Sequence, residues 1–102
     1  MEKSGTIAKK ILVVEDEPAV SKVCRRALAS EGFEVDIAAD GSIAQDMVEK
    51  KQYDFCLIDI KTPEMDVKEL LQWLKEKHPS LMGRVILTTG RVMAQGTQIL
   101  LE

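Results

Sequence analysis

Four short stretches of the chain carry a strand pattern, and three of them break off in polar or acidic residues. Ile11 to Val14 is a continuous apolar run followed at once by Glu15, Asp16 and Glu17. Phe55 to Ile58 is a second run, closing on Asp59, and Val85 to Leu87 is a third, closing on Thr88, Thr89 and Gly90. Apolar runs this short read as strands buried on both faces. Glu34 to Ala38 instead alternates polar with apolar residues, which predicts a half-exposed strand and hence a sheet edge.

Helical spacing fills the gaps. Val20, Val23, Cys24, Ala27 and Leu28 predict an amphipathic helix over about Pro18 to Glu31, with Pro18 in its first turn and Gly32 as its stop. Asp40, Gly41 and Ser42 form a turn and cap, and Ala44, Met47 and Val48 carry a second helix to near Lys51. Thr62 to Glu64 reads as a loop. Asp66 with Glu69 has capping-box spacing, and Val67, Leu70, Leu71 and Leu74 line a third helix ending at His78 and Pro79. A fourth helix is expected over Val92 to Leu101, weakened by Gly96. The order β-α-β-α-β-α-β-α implies an α/β domain, an open parallel sheet with helices on both faces. Ligands of such sheets bind at the carboxyl ends of the strands, where Glu15, Asp16, Asp59, Thr88 and Thr89 would gather.

Composition narrows the classes. The 102 residues suffice for one domain, with 45% apolar and 30% charged residues. A formal charge of −3 gives no support for direct nucleic-acid binding. No apolar run approaches the ~20 residues of a membrane helix, and no signal-peptide pattern follows Met1, so a cytoplasmic protein is expected. Cys24 and Cys56 lack CxxC spacing and read as buried reduced thiols. His78 reads as solvated, Trp73 as packing against the leucine stripe, and Thr88 as an ordinary strand residue.

If the third strand crosses back beside the first, Glu15, Asp16 and Asp59 converge. Carboxylates in close contact repel, and the conflict resolves by protonating one or by binding a cation. Hard oxygen donors favour Mg²⁺, which is commonly held by one or two carboxylates, waters and a phosphate oxygen. A carboxylate so placed is also a nucleophile toward a phosphoryl group.

Ile11 to Pro18, Asp54 to Asp59, Thr62 to Asp66 and Val85 to Gly90, in that order and spacing, resemble the response-regulator receiver domain of two-component signalling. The resemblance runs from about Lys10 to the end of the sequence. It implies a flavodoxin-like sheet of order 2-1-3-4-5, of which this sequence supplies (βα)4 of an expected (βα)5, making residues 1–102 a single receiver domain without the last strand and helix. It makes Asp59 the phosphoacceptor for a sensor histidine kinase or phosphotransfer protein. It makes Glu15, Asp16, Asp59 and the main-chain carbonyl of Lys61 the Mg²⁺ ligands, and Thr89 the switch hydroxyl. The protein would then catalyse only its own phosphorylation and dephosphorylation.

Departures from the family pattern set further expectations. Nothing matches the Lys that pairs with the phosphoryl group, and Lys61 or Arg91 could stand in for it or compete with Mg²⁺. Val67 replaces the usual Gly after Met65 and Asp66. Without a fifth strand, Val85 to Leu87 would be an apolar edge, so a homodimer through that edge or the face of the fourth helix is expected. The rival reading is a degenerate receiver serving as an interaction or dimerisation module. A small Mg²⁺-dependent phosphohydrolase is disfavoured because Ile60 and Lys61, not a second acid, follow Asp59.

Overall fold

The structure is a computed structural model and describes residues 8–60 and 64–88. Its strands are β1 (Lys10–Val14), β2 (Glu34–Ala38), β3 (Phe55–Asp59) and β4 (Val85–Thr88). The helices are α1 (Pro18–Ser30), α2 (Gly41–Lys50), α3 (Glu64–Lys77) and the single turn α4 (Pro79–Met82). All strands run parallel in the order β2-β1-β3-β4, so the chain crosses back over β1 between β2 and β3. The expected helix over Val92 to Leu101, and with it Gly90 and Arg91, lies outside the described residues.

The apolar runs behave as their length demands. Leu12, Val14, Cys56 and Ile58 face one side of the sheet, where Ala44 and Val48 of α2, Val67, Leu70 and Leu74 of α3 and Leu81 of α4 cover them. Ile11 and Val13 face the other side, packed with Cys24, Val20 and Leu28 of α1 and with Val35, Phe55 and Leu57. There Phe33 meets Phe55 edge-on at 6.0 Å between ring centres, a favoured aromatic geometry. Cys24 and Cys56 are free and buried, in different clusters. The expected edge strand is an edge: β2 pairs only with β1 among the described residues. β4 is the other edge of the described sheet, with Ile86 43% and Leu87 39% exposed.

The caps follow local chemistry. Pro18 opens α1, Gly32 leaves it at a φ of 97°, and the Asp40 carboxylate accepts the Ile43 N–H at 2.9 Å. Only glycine takes that positive φ without steric cost. Two expectations are corrected. Helix α3 starts at Glu64, so Glu64 is not in the loop and Asp66 lies inside the helix rather than capping it. Acids in a first turn suit the positive end of the helix dipole, which favours the earlier start. Val67 is therefore a helical core residue at 6% exposure, and a glycine is not needed there. His78 is not simply solvated: its Nε2 lies 3.1 Å from Glu49 Oε2, and its ring rests 4.9 Å from that of Trp73.

At the amino ends of the strands, a polar clamp holds β2 to the start of β3. Asp36 accepts hydrogen bonds from Lys51 Nζ at 2.8 Å and from the Tyr53 hydroxyl at 2.7 Å. These two bonds, the Lys51 one first, hold the Asp36 carboxyl below its ordinary range. Burial, then the bond to Asp36, pushes the Tyr53 phenol up, so it stays a donor. A carboxyl lowered on folding stabilises the fold above its unfolded pKa, and that stabilisation is lost as the pH falls through the lower folded value. Asp36→Asn is expected to cost about 1 kcal/mol at neutral pH, given the partial exposure. The difference from the parent should vanish once the pH has fallen through the lowered Asp36 value, as urea unfolding at several pH values would read.

Candidate functional site

The acids gather at the carboxyl rim because of register. Val14 pairs with Ile58, so Glu15 and Asp59 are the next residues on two adjacent strands. Strand alternation puts Asp59 on the α1 face with Leu57. Glu15 is held past the end of β1 by its N–H bonding to the Ala38 carbonyl at 2.9 Å, and its Oε2 turns back to accept the Glu17 N–H at 2.9 Å. Glu15 and Asp59 are the buried charged residues among those described, at 3% and 2% exposure. Asp59 Oδ2 is sealed from solvent. Asp16 and Glu17 are exposed at the rim.

On the other side of Asp59 stands Thr88, its register partner on β4, whose carbonyl accepts the Ile60 N–H at 2.6 Å. Glu15, Asp59, Thr88 and Cys24 line one tight cleft together with Val13, Val14, Val20 and Leu57. Burial, then the charges of Glu15 and Asp59, pushes the Cys24 thiol up, keeping it protonated beneath the carboxylates. Thus Glu15 and Asp59 line one cleft, and the exposed Asp16 does not join them there. Lys61 and Thr89 lie outside the described residues. Cys24 is the cleft residue not anticipated from sequence, and Thr88, expected at the rim but read as an ordinary strand residue, lines the cleft as well. Counting the parallel register forward from Cys56 and Val85 would have found Thr88.

Among the described residues no group of three or more His, Cys, Asp or Glu side chains is placed to hold a metal ion. Mg²⁺ does not require one, since it keeps most of its waters and takes one or two carboxylates with phosphate oxygens. Two carboxylates buried side by side at a rim, with Asp16 beyond them, are a hard oxygen donor set that suits this open kind of site. No helix among the described residues is long and apolar enough to cross a membrane.

Comparison with known proteins agrees with this architecture. The profile of the response regulator receiver domain matches residues 11–102. The transcriptional regulatory protein TcrA of Mycobacterium tuberculosis is 40% identical over 82 residues, 80% of this chain and 32% of that protein. The regulatory protein VanRc of Enterococcus gallinarum is 35% identical over 78 residues, 74% of this chain and 34% of that protein. The chain therefore spans about a third of the length of these relatives. Among solved structures, a CheY-like receiver domain protein from Methanospirillum hungatei superposes with a TM-score of 0.74 at 33% identity, covering 82% of this chain and 66% of that one. The response regulator TrrA from Thermotoga maritima, in complex with Mg²⁺ and BeF, gives a TM-score of 0.67 at 26% identity, covering 84% and 75%. The fold is an open parallel sheet whose middle strands end in adjacent buried acids, and receiver domains of this kind are signalling domains. The chain belongs to the response regulator receiver domain family.

Proposed function

We propose that this chain is a phosphoacceptor switch, phosphorylated on Asp59 by a sensor histidine kinase or phosphotransfer protein. The observation that carries the reading is the burial of Asp59 beside Glu15 at the carboxyl rim of a receiver fold. The Asp59 carboxylate attacks phosphorus, the P–N bond to the donor imidazole breaks as the new P–O bond forms, and the imidazole takes up a proton. Water later cleaves the acyl phosphate. Glu15, Asp16, Asp59 and the carbonyl of Lys61 would hold Mg²⁺, which offsets the charge gathered on the phosphoryl oxygens. The Mg²⁺–BeF complex of TrrA supports that assignment by likeness. Thr89 is the proposed switch hydroxyl, drawn toward the new doubly charged group. The output of this domain passes through protein contact, in the cytoplasm.

Incubating the parent with Mg²⁺ and acetyl phosphate should give a phosphoryl adduct by intact mass. Absence of any adduct, and of binding by a beryllium fluoride mimic, would refute the reading.

Self-association is a second part of the proposal, resting on Ile86 and Leu87 exposed along β4. Apolar edge strands pair readily with another copy. Light scattering is expected to show a concentration-dependent dimer, and Ile86→Lys to shift it toward monomer. A parent that stays monomeric at millimolar concentration would exclude the dimer.

A further inference from the structure

We infer that a second cleft, at the amino ends of the strands, binds a guanidinium group, carried by a free small molecule or by an arginine side chain of a partner. It lies at the opposite end of the sheet from Asp59, so the inference goes beyond the phosphoacceptor reading. The cleft has a volume of about 450 Å³ and opens between the end of α2, the lead into β3 and the single turn α4. That volume falls in the range of small-molecule sites. Val48 and Leu81, both core residues, give it an apolar floor, and Tyr53 and His78 add ring surface.

The polar groups around that floor are mostly acceptors. Helix α2 ends here with the Lys51 N–H bonded to the Met47 carbonyl, so the carbonyls of Val48, Glu49 and Lys50 lie past its last internal bond. The helix dipole adds negative potential at the same end. Glu49 spends one carboxylate oxygen on His78 at 3.1 Å, and Asp54 spends one on the Lys10 N–H at 2.8 Å. A carboxylate accepts through both oxygens, so each keeps acceptor capacity. The lining cations do not cancel this. Lys51 Nζ turns to β2, where it bonds Asp36 at 2.8 Å and lies 3.8 Å from Glu34. Lys50 is exposed, and its long stem carries the charge into water. A guanidinium answers these features together. It presents several N–H donors in one plane, suited to carboxylates and carbonyls, and it is weakly hydrated enough to lie flat on apolar and aromatic surface. A strongly hydrated ammonium would meet the acceptors but gain little from the floor.

The test titrates the full chain with methylguanidinium and with the peptide acetyl-Gly-Arg-Gly-amide, at constant ionic strength. The neutral control is the same peptide with citrulline, which keeps the shape and loses the charge. Trp73 is the one tryptophan of the chain, and its ring lies 4.9 Å from that of His78, so its emission reports on the cleft wall. Amide shifts in ¹H–¹⁵N spectra locate the change. Both guanidinium probes are expected to bind with roughly millimolar affinity. They should alter Trp73 emission and shift the amides of Glu49, Gln52 and Ser80, while the citrulline peptide does neither. A peptide that binds tighter than methylguanidinium assigns the group to a protein partner, and equal binding assigns it to a free small molecule. Glu49→Gln changes an exposed residue outside the core and should weaken both probes by about threefold. Citrulline and arginine peptides that bind alike would overturn the inference. So would amide shifts confined to other parts of the domain, or unchanged affinity in Glu49→Gln.

Discussion

Asp59→Asn is expected to take no phosphoryl group from acetyl phosphate under conditions where the parent does, and to be more stable than the parent in metal-free buffer. The first half follows from chemistry. An amide nitrogen and its carbonyl are far poorer nucleophiles than a carboxylate, while the size and shape are nearly kept. The second half follows from burial. Glu15 and Asp59 are both almost fully inaccessible and line one cleft, so their charges repel where water screens them least. Neutralising one is worth about 1 kcal/mol at neutral pH, on the scale of a single well-placed charge interaction. Mg²⁺ should reverse the ranking. A ligand that binds only the folded state stabilises it by RT ln(1 + [L]/Kd), or about 2.7 kcal/mol at a hundredfold excess over Kd. The parent should therefore gain stability with Mg²⁺ and Asp59→Asn should gain much less. Chelating the metal should at the same time stop adduct formation in the parent. Thermal unfolding of both proteins, with Mg²⁺ and with EDTA, reads the first effect, and intact mass reads the second. Equal Mg²⁺ stabilisation of the two proteins would remove Asp59 from the metal site.

Why the site was legible follows from the strand ends. An apolar run closing on a carboxylate places that acid at a rim, whatever the fold around it. Two such runs, at Val14 and Ile58, needed only the crossover of the chain between β2 and β3 to bring Glu15 and Asp59 together. The alternation of Glu34 to Ala38 likewise carried its own position, because only an edge strand leaves one set of residues half-exposed. What the pattern did not carry were properties set by register or by distant contacts. Thr88 reads the same in any strand, and its place opposite Asp59 depends on the offset of β4 against β3. His78 looks solvated until α2 brings Glu49 alongside from 29 residues away. The start of α3 was misplaced because the Asp66–Glu69 spacing imitates a cap, while the acids at Glu64 and Asp66 both suit a helix already begun. Capping signals are local and degenerate, so the spacing alone does not place the first turn of α3.

Leu74→Ala is expected to destabilise the domain by roughly 2–5 kcal/mol, the largest stability loss anticipated for a single residue here. Leu74 is fully buried on α3 and belongs to the cluster in which Leu70, Leu81, Val48 and Ile58 close over the sheet. Removing its branched end leaves a hole that those neighbours fill only in part, so lost transfer energy and lost packing add. A domain of this size has about 5–15 kcal/mol in total, so a large fraction of the folded margin is at stake. The midpoint of urea unfolding should fall with little change in slope, since the surface exposed on unfolding is nearly the same. Leu71→Ala, one position along the same helix, should cost less, because Leu71 is only partly buried against that cluster. The site adds a sharper condition. The sheet separates the Leu74 cluster from the α1 face, on which Val13, Cys24 and Leu57 wall the cleft of Glu15 and Asp59. Per folded molecule, then, Leu74→Ala should be phosphorylated at the parent rate while unfolding at lower urea. A reduced rate in a fully folded sample would mean that packing beneath one face of the sheet sets the geometry of the acids on the other, through the backbone of β3 that carries both Ile58 and Asp59.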